Sequence, residues 1–211
     1  LQDSDVDNNG AGGMWISEAP SAALSWYRAF YGQFDEAKPV LSFNNSAGSQ
    51  SFTFLKQLYN EDGSWTGQQE VPYDYFAKRL ALAYEGTLDD VIIQEGYQER
   101  AGSKDKWVTL PYPTPDGTGS LSLETVSIGI AKGTPAEQLG SWLFARWLLR
   151  QGSQESLASI SGYWPVISDP QQVAPAYANA HPAWASALLD GVQLSLAPEN
   201  QHWAYGRLIL Q

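Results

Sequence analysis

Residues 107–166 constrain the fold of this chain more than any other stretch: WVTLPYPTPDGTGSLSLETVSIGIAKGTPAEQLGSWLFARWLLRQGSQESLASISGYWPV. In order it reads as a short strand, a Pro/Gly-rich loop, a second strand, a capped helix rich in tryptophan, and a Gly-aromatic-Pro turn, so strand and helix signals stand side by side in one segment. Thr134-Pro135-Ala136-Glu137 carries a hydroxyl for the N-cap, proline at N1 and a carboxylate at N3. That capping box, worth roughly 1 kcal/mol, predicts a helix from Pro135 to about Gln151, with Gly152 as its stop. Leu139, Trp142, Leu143, Trp147 and Leu148 form a stripe wide enough to be buried on much of its circumference. Ser153 then opens a short helix ending near Gly162.

The same alternation extends through the rest of the chain. Residues 1–13 are polar, acidic and glycine-rich and read as a loop. Pro20 marks a helix start, with Leu24, Tyr27 and Tyr31 at helical spacing and Gly32 as a stop. Residues 40–43 read as a short strand, and Asn44 or Asn45 caps a helix whose buried stripe is Phe52, Leu55, Leu58 and Tyr59, ended by Gly63. A short helix over 73–78 leads into LALAYEG, a buried strand bounded by Gly86. Asp89 and Asp90 open the next helix, because carboxylates complement the exposed N–H groups of a helix start. Residues 107–110 are a further strand, and helices begin at Pro182 and His202. Strands alternating with helices at these intervals give an α/β architecture with mixed or mostly parallel pairing.

Bulk chemistry removes several function classes. Lys and Arg number 12 against 23 Asp and Glu, a formal net charge of -11, and no basic cluster exists to neutralise a phosphate backbone, which argues against nucleic acid as a partner. The chain has no cysteine, which excludes disulfides, thiolate metal sites and cysteine nucleophiles. The apolar run at 142–149 is broken by Arg146, and nothing approaches the roughly 20 apolar residues of a spanning helix. No charged, then apolar leader begins the chain, so a mature or excised sequence is inferred. Nine tryptophans and eleven tyrosines suit stacking on sugar rings in aggregate, although each ring taken singly is more often core.

In order, the acidic loop DSDVDNNG, the helix bearing FLKQLYNEDG, LALAYEG, WVTLPYP, TVSIGIAKG, the helix after TPAEQ, and GYWPV resemble family 1 extracellular solute-binding proteins, which feed sugars to ABC importers. The resemblance covers nearly the whole chain and roughly the C-terminal half or more of a typical member. It implies an α/β, periplasmic-binding-protein-like (type II) fold, mainly the second lobe plus part of the first. Residues 1–122 would be the first part of the second lobe. Residues 123–162 would be a crossing strand and helices of the first lobe, and 163–211 a helical return to the second. A partial first lobe would leave Leu139, Leu143 and Trp147 uncovered. The implied function is binding of a sugar or oligosaccharide in an inter-lobe cleft closed by hinge motion. Implied partners are ABC permease subunits. The location would be extracellular or periplasmic, with membrane association only through a lipid anchor outside this sequence.

That resemblance also nominates ligand-binding residues. Glu124, Thr125 and Ser127 stand where the first crossing would meet the cleft, against the plainer reading of strand-edge solvation. Tyr163 and Trp164 sit in the Gly-aromatic-Pro turn that borders the cleft in relatives. Trp203 matches a stacking aromatic of sugar-binding members, or else packs on Leu208. Glu18 and Ser21 match a region supplying carboxylate and aromatic contacts, although Ser21 is not aromatic. Gly86 and Thr87 follow the LALAY strand, with Leu88 where relatives carry an aromatic.

Asp5, Asp7 and Asn9, with Gly10 at the bend, fit the first positions of a calcium loop, but Ile16 stands where the bidentate glutamate belongs. A solvated acidic loop is the alternative, and no other cofactor is expected. Two further classes remain open: an extracellular glycoside hydrolase, for which Glu18 and Glu124 would be the carboxylate pair, and a non-transport carbohydrate-binding module. Neither carboxylate lies in a pattern that marks an acid catalyst. His181 and His202 have no neighbouring ligands, and no G-x-S-x-G or phosphate loop is present, so no enzyme is expected.

Overall fold

The computed structural model describes residues 12–34, 42–61, 63–66, 72–124, 128–166, 172, 174–187 and 192–196. The elements run β1 (Gly12–Trp15), α1 (Pro20–Ala29), α2 (Ser46–Asn60), β2 (Ser64–Trp65), α3 (Tyr73–Ala77), β3 (Ala81–Tyr84) and α4 (Asp90–Arg100). There follow β4 (Ser120–Leu123), α5 (Pro135–Leu148), α6 (Gln151–Ser161), α7 (Pro175–Ala180), α8 (Pro182–Ala185) and β5 (Gln193–Leu196). Strands alternate with helices, and the strands pair in parallel. One sheet has the order β2-β1-β3 and a second pairs β4 with β5. The α/β expectation matches this architecture.

Rings do much of the packing. Trp15 pairs in register with Trp65 on one side and Tyr84 on the other, so the three share a face of the first sheet. Helix α3 covers that face: Tyr75 lies 5.8 Å from Trp15 and 5.6 Å from Trp65, and Phe76 lies 5.3 Å from Tyr84. Tilted and edge-to-face ring contacts of this kind add about 0.5–1.5 kcal/mol each beyond area burial. Leu24 and Tyr27 of α1 are buried with Phe34, Phe43 and Ala47 around them. A further cluster joins Val91 of α4, Ala158 of α6, Tyr177 and Ala178 of α7, and Ala183 and Trp184 of α8. Trp15, Trp26, Trp65 and Trp184 are all buried, so much of the aromatic excess is core.

Local end signals act as the sequence predicts. Pro20 opens α1, and Gly32 closes it by donating its N–H to the Tyr27 carbonyl at 2.9 Å. Asn45 caps α2: its Oδ1 accepts the Gly48 N–H at 3.0 Å while its Nδ2 donates to the Tyr27 hydroxyl at 2.8 Å. Thr134 and Glu137 form the capping box of α5. Gly162 ends α6 in the left-handed region at φ 71°.

Several expectations need correction. Residues 107–110 form no strand with any of the described residues; the Thr109 N–H donates to Ser186 Oγ instead, at 2.9 Å. Helix α5 stops at Leu148 and α6 begins at Gln151, so Gly152 lies inside the second helix rather than between the two. The α5 stripe is not buried. Leu139, Trp142, Leu143, Phe144 and Trp147 are all about half exposed. On α2, Phe52 and Tyr59 face outward, and its buried positions are Gly48 and Ser51. Among the described residues β3 lies at the edge of its sheet, with Leu82 61% exposed, and is not the buried strand its apolar run suggests. Val40 and the helix expected from His202 lie outside the described residues, and Phe43, the end of the expected 40–43 strand, is irregular.

Candidate functional site

The register of the first sheet builds the candidate site. β1 and β3 run in parallel with Trp15 opposite Tyr84, so both strands end at one level. Past β1 come Ile16, Ser17, Glu18 and Ala19 before α1. Past β3 come Glu85, Gly86 and Thr87 before α4. In open parallel sheets this edge, outside the carboxyl ends of the strands, is where ligands are held.

At its centre stands a residue that sequence reasoning passed over. Side chains alternate along a strand, so with Tyr84 turned to α3, Glu85 turns to α1. Its Oε2 accepts the Ser17 backbone N–H at 2.7 Å, and its Oε1 accepts the Trp26 indole N–H. The residue is only 6% exposed. Burial pushes its carboxyl up to about 7, and the two donors pull the other way without overcoming it. Tyr112 faces the same carboxylate, its ring 5.1 Å from Trp26 and edge-on to it. Burial first, and then the negative Glu85, hold the Tyr112 hydroxyl far above its ordinary range.

Beside Glu85, the turn into α4 is tied by Asp90. Its Oδ2 accepts both the Thr87 N–H at 2.6 Å and the Thr87 hydroxyl at 2.9 Å, and its Oδ1 accepts the Tyr73 hydroxyl. Thr87-Leu88-Asp89-Asp90 thus behaves as a Thr-x-x-Asp helix start. Gly86 stands tight against two side chains: a Cβ there would lie 2.8 Å from Asp90 Oδ2 and 3.1 Å from Tyr84 Cε2, so the Asp90 carboxylate would have to move. Gly162 approaches the same turn, since a Cβ on it would lie 3.3 Å from the Asp89 Cα. The residues after Gly162 therefore leave from beside the β3 exit.

The structure brings Glu18, Gly86, Thr87, Tyr163 and Trp164 into this neighbourhood. Glu18 is exposed beside the Ser17–Glu85 bond, and Ser21 lies in the first turn of α1. Tyr163 is 58% exposed, whereas Trp164 is half-buried, its ring 6.2 Å from Trp184. The Trp164 indole N–H is buried with no hydrogen-bond partner among the described residues. Glu124 is exposed just past β4, and no hydrogen bond among the described residues ties it to the Glu85 rim. Thr125, Ser127, Trp203, Asp5, Asp7 and Asn9 lie outside the described residues. Ile16 continues the ladder of β1, its N–H donating to the Trp65 carbonyl at 2.9 Å.

Two signals in the sequence would have found more of the site. An acid placed directly after an apolar strand run, as in Ala83-Tyr84-Glu85-Gly86, is a carboxylate at the carboxyl end of a strand. The Thr-x-x-Asp spacing is a helix-start motif. A surface cleft of about 430 Å³ lies elsewhere, lined by Pro175, Ala178, Asn179, Pro182, Ala185 and Ser186, with no ionisable group. The charged and hydrogen-bonding chemistry sits at the strand exits. Among the described residues no group of His, Asp and Glu could hold a metal ion, and no helix is long and apolar enough to cross a membrane.

The chain matches no curated protein by sequence. Among solved structures it is similar to UgpB from Mycobacterium tuberculosis, determined in complex with glycerophosphocholine, at 12% identity and a TM-score of 0.58. The likeness covers 88% of this chain and 47% of UgpB, so the chain spans about half the length of that neighbour. It shows a shared fold, the α/β periplasmic-binding-protein-like architecture of type II. The model of one protein family matches residues 5–185, from the acidic N-terminal segment to the end of α8. The chain belongs to that family, the bacterial extracellular solute-binding proteins.

Proposed function

We propose that this chain supplies most of the second lobe of a binding protein that delivers a small solute, a sugar or oligosaccharide, to an ABC-type importer outside the cytoplasmic membrane. The solute lies in a cleft between lobes, and hinge closure adds this lobe's contacts to those of the first. The protein carrying this lobe is held at the membrane by a lipid anchor.

The observation that carries the reading is the paired exit of β1 and β3. It sets Glu18 and Ser21 from one strand beside Gly86 and Thr87 from the other, at the edge where parallel sheets hold ligands. Glu18 and the Thr87 hydroxyl can accept hydrogen bonds from solute hydroxyls, and the exposed Tyr163 ring offers a stacking face. Glu124, Thr125, Trp164 and Trp203 complete the proposed set. Family membership supports binding rather than catalysis. The glycerophosphocholine held by UgpB widens the solute class to polyol phosphodiesters.

The test is thermal unfolding against a panel of mono- and oligosaccharides together with glycerophosphocholine. A true solute at 100 times its Kd adds about 2.7 kcal/mol of stability. For a chain of this size that raises Tm by roughly 5–10 °C. Failure of every panel member to shift Tm, or hydrolysis of an oligosaccharide, overturns the reading.

A further inference from the structure

We infer that Glu85 is a positioning residue for solute binding: an ionisable clamp that joins the exits of β1 and β3 to α1 and fixes where Glu18 and Gly86 stand at the rim. The inference rests on the proposed role of that rim as the solute face.

Three separate parts of the chain meet at one carboxylate. The Ile16 N–H still belongs to the sheet, donating to the Trp65 carbonyl, so Ser17 is the first residue past the ladder of β1. Its N–H is taken by a side chain 68 positions away. The other oxygen takes the indole N–H of Trp26, itself buried in the middle of α1. The β1 exit, the β3 exit and α1 are thus held in one geometry by two bonds to opposite oxygens of one group. Glu18 follows Ser17 directly and Gly86 follows Glu85 directly, so the clamp sets the backbone of both rim residues.

The clamp has two states. As a carboxylate, Glu85 accepts both donors with charge-assisted bonds. As a neutral acid, one oxygen becomes an O–H donor; it faces two N–H groups, and one bond is given up. Ser17 from the β1 exit, Trp26 from α1 and Tyr112 from the segment ahead of β4 are the groups facing it. Tyr112 stays protonated throughout the physiological range. Burial places the change of state near neutral pH rather than near 4.5. The rim is therefore fixed above about pH 7 and loosened below it.

A pH series between about 5.5 and 8.5, on this chain and on Glu85→Gln, tests the clamp with two readouts. The first is the pair of ¹⁵N-resolved N–H resonances of Ser17 and the Trp26 indole. In the unsubstituted chain they should titrate together with a midpoint near 7, and in Glu85→Gln they should stay still. The second is the affinity for maltose, or for whichever saccharide of the panel raises Tm most. Affinity should rise about fivefold from pH 6 to pH 8, the worth of one hydrogen bond, and be flat in Glu85→Gln. Resonances that do not move, or that move equally in the variant, overturn the clamp. Resonances that titrate while the affinity stays flat, or a variant that keeps the slope, overturn the positioning role. If no saccharide binds at any pH, it is the solute reading of the rim that fails, and the resonances still decide the clamp. Should Glu85→Gln fail to fold, the titration of the unsubstituted chain decides alone.

Discussion

Trp184 donates its indole N–H to the carbonyl of Gly162 across 2.6 Å, both residues buried, and so ties α8 to the turn that ends α6. The same ring lies 5.0 Å from Tyr177, edge-on, and 6.2 Å from Trp164. One side chain thus links α6, α7, α8 and the residues that leave toward the candidate rim.

Replacing it separates donor from ring. Trp184→Phe keeps an aromatic but strands the Gly162 carbonyl without its partner, at a cost of about 1–3 kcal/mol. Trp184→Ala also opens a cavity among Val91, Ala158 and Ala178, and costs about 3–5 kcal/mol. Urea denaturation of both variants should give that order; a Trp184→Phe variant as stable as the unsubstituted chain would mean that the hydrogen bond contributes nothing.

Gly162→Ala acts on the same turn from the backbone side. At φ 71° an L-residue pays roughly 1–2 kcal/mol, and the new Cβ would press on the Asp89 Cα at 3.3 Å. Unfolding free energy should fall by about that amount. Because Asp89 adjoins the Thr87–Asp90 turn, solute affinity should fall with it. An unchanged Tm would show that the turn has room to yield.

What could be read from the sequence was whatever neighbouring residues settle among themselves. Thr134 and Glu137, Asn45 and Gly48, and Gly162 at the end of α6 are local bargains, and each has its expected geometry. Burial is not local. The spacing of Leu139, Leu143 and Trp147 shows which face of α5 is apolar, but not whether anything lies against it. Residues 107–110 have a strand's pattern, yet a strand needs an edge to pair with, and here Ser186 takes the Thr109 N–H. Glu85 reads as an ordinary turn acid until Trp26 and Ser17, 59 and 68 positions away, close on it. The site is non-local for the same reason: it exists only where β1 and β3 align.

Glu85 also sets a pH dependence of stability, opposite in sign to that of its clamp. Its carboxyl titrates near 4.5 when unfolded and about 7 when folded, so between these values the folded chain holds the extra proton. Stability therefore falls as pH rises through that window, by up to about 3 kcal/mol. Subtracting the unfolding free energies of Glu85→Gln from those of the unsubstituted chain isolates the effect. The difference should be greatest near pH 5 and smallest above pH 7, and a flat difference would place the folded pKa at its ordinary value.

The apolar face of α5 should bind a hydrophobic dye. Leu139, Trp142, Leu143, Phe144 and Trp147 present a contiguous set on a helix with no buried residue. Leu143→Lys with Trp147→Lys should lower anilinonaphthalene sulfonate fluorescence at least twofold while the far-ultraviolet dichroism holds, because the capping box and helix propensity remain. Dye binding that survives both substitutions would locate the exposed surface elsewhere.

Gly86→Ala separates the rim from the fold. Nothing in its backbone requires glycine, but the added Cβ would stand 2.8 Å from Asp90 Oδ2, and the carboxylate must swing away. That carboxylate holds the Thr87 N–H and hydroxyl and the Tyr73 hydroxyl, so its displacement frees Thr87 at the start of α4. The structural loss is about that of one helix cap, roughly 1 kcal/mol. Thr87 and Gly86 both belong to the proposed solute face, so affinity should fall about tenfold, more than the modest loss of stability would bring. Calorimetric titration beside urea denaturation reads the two effects separately. A variant that loses stability but keeps full affinity would remove the β3 exit from the solute site.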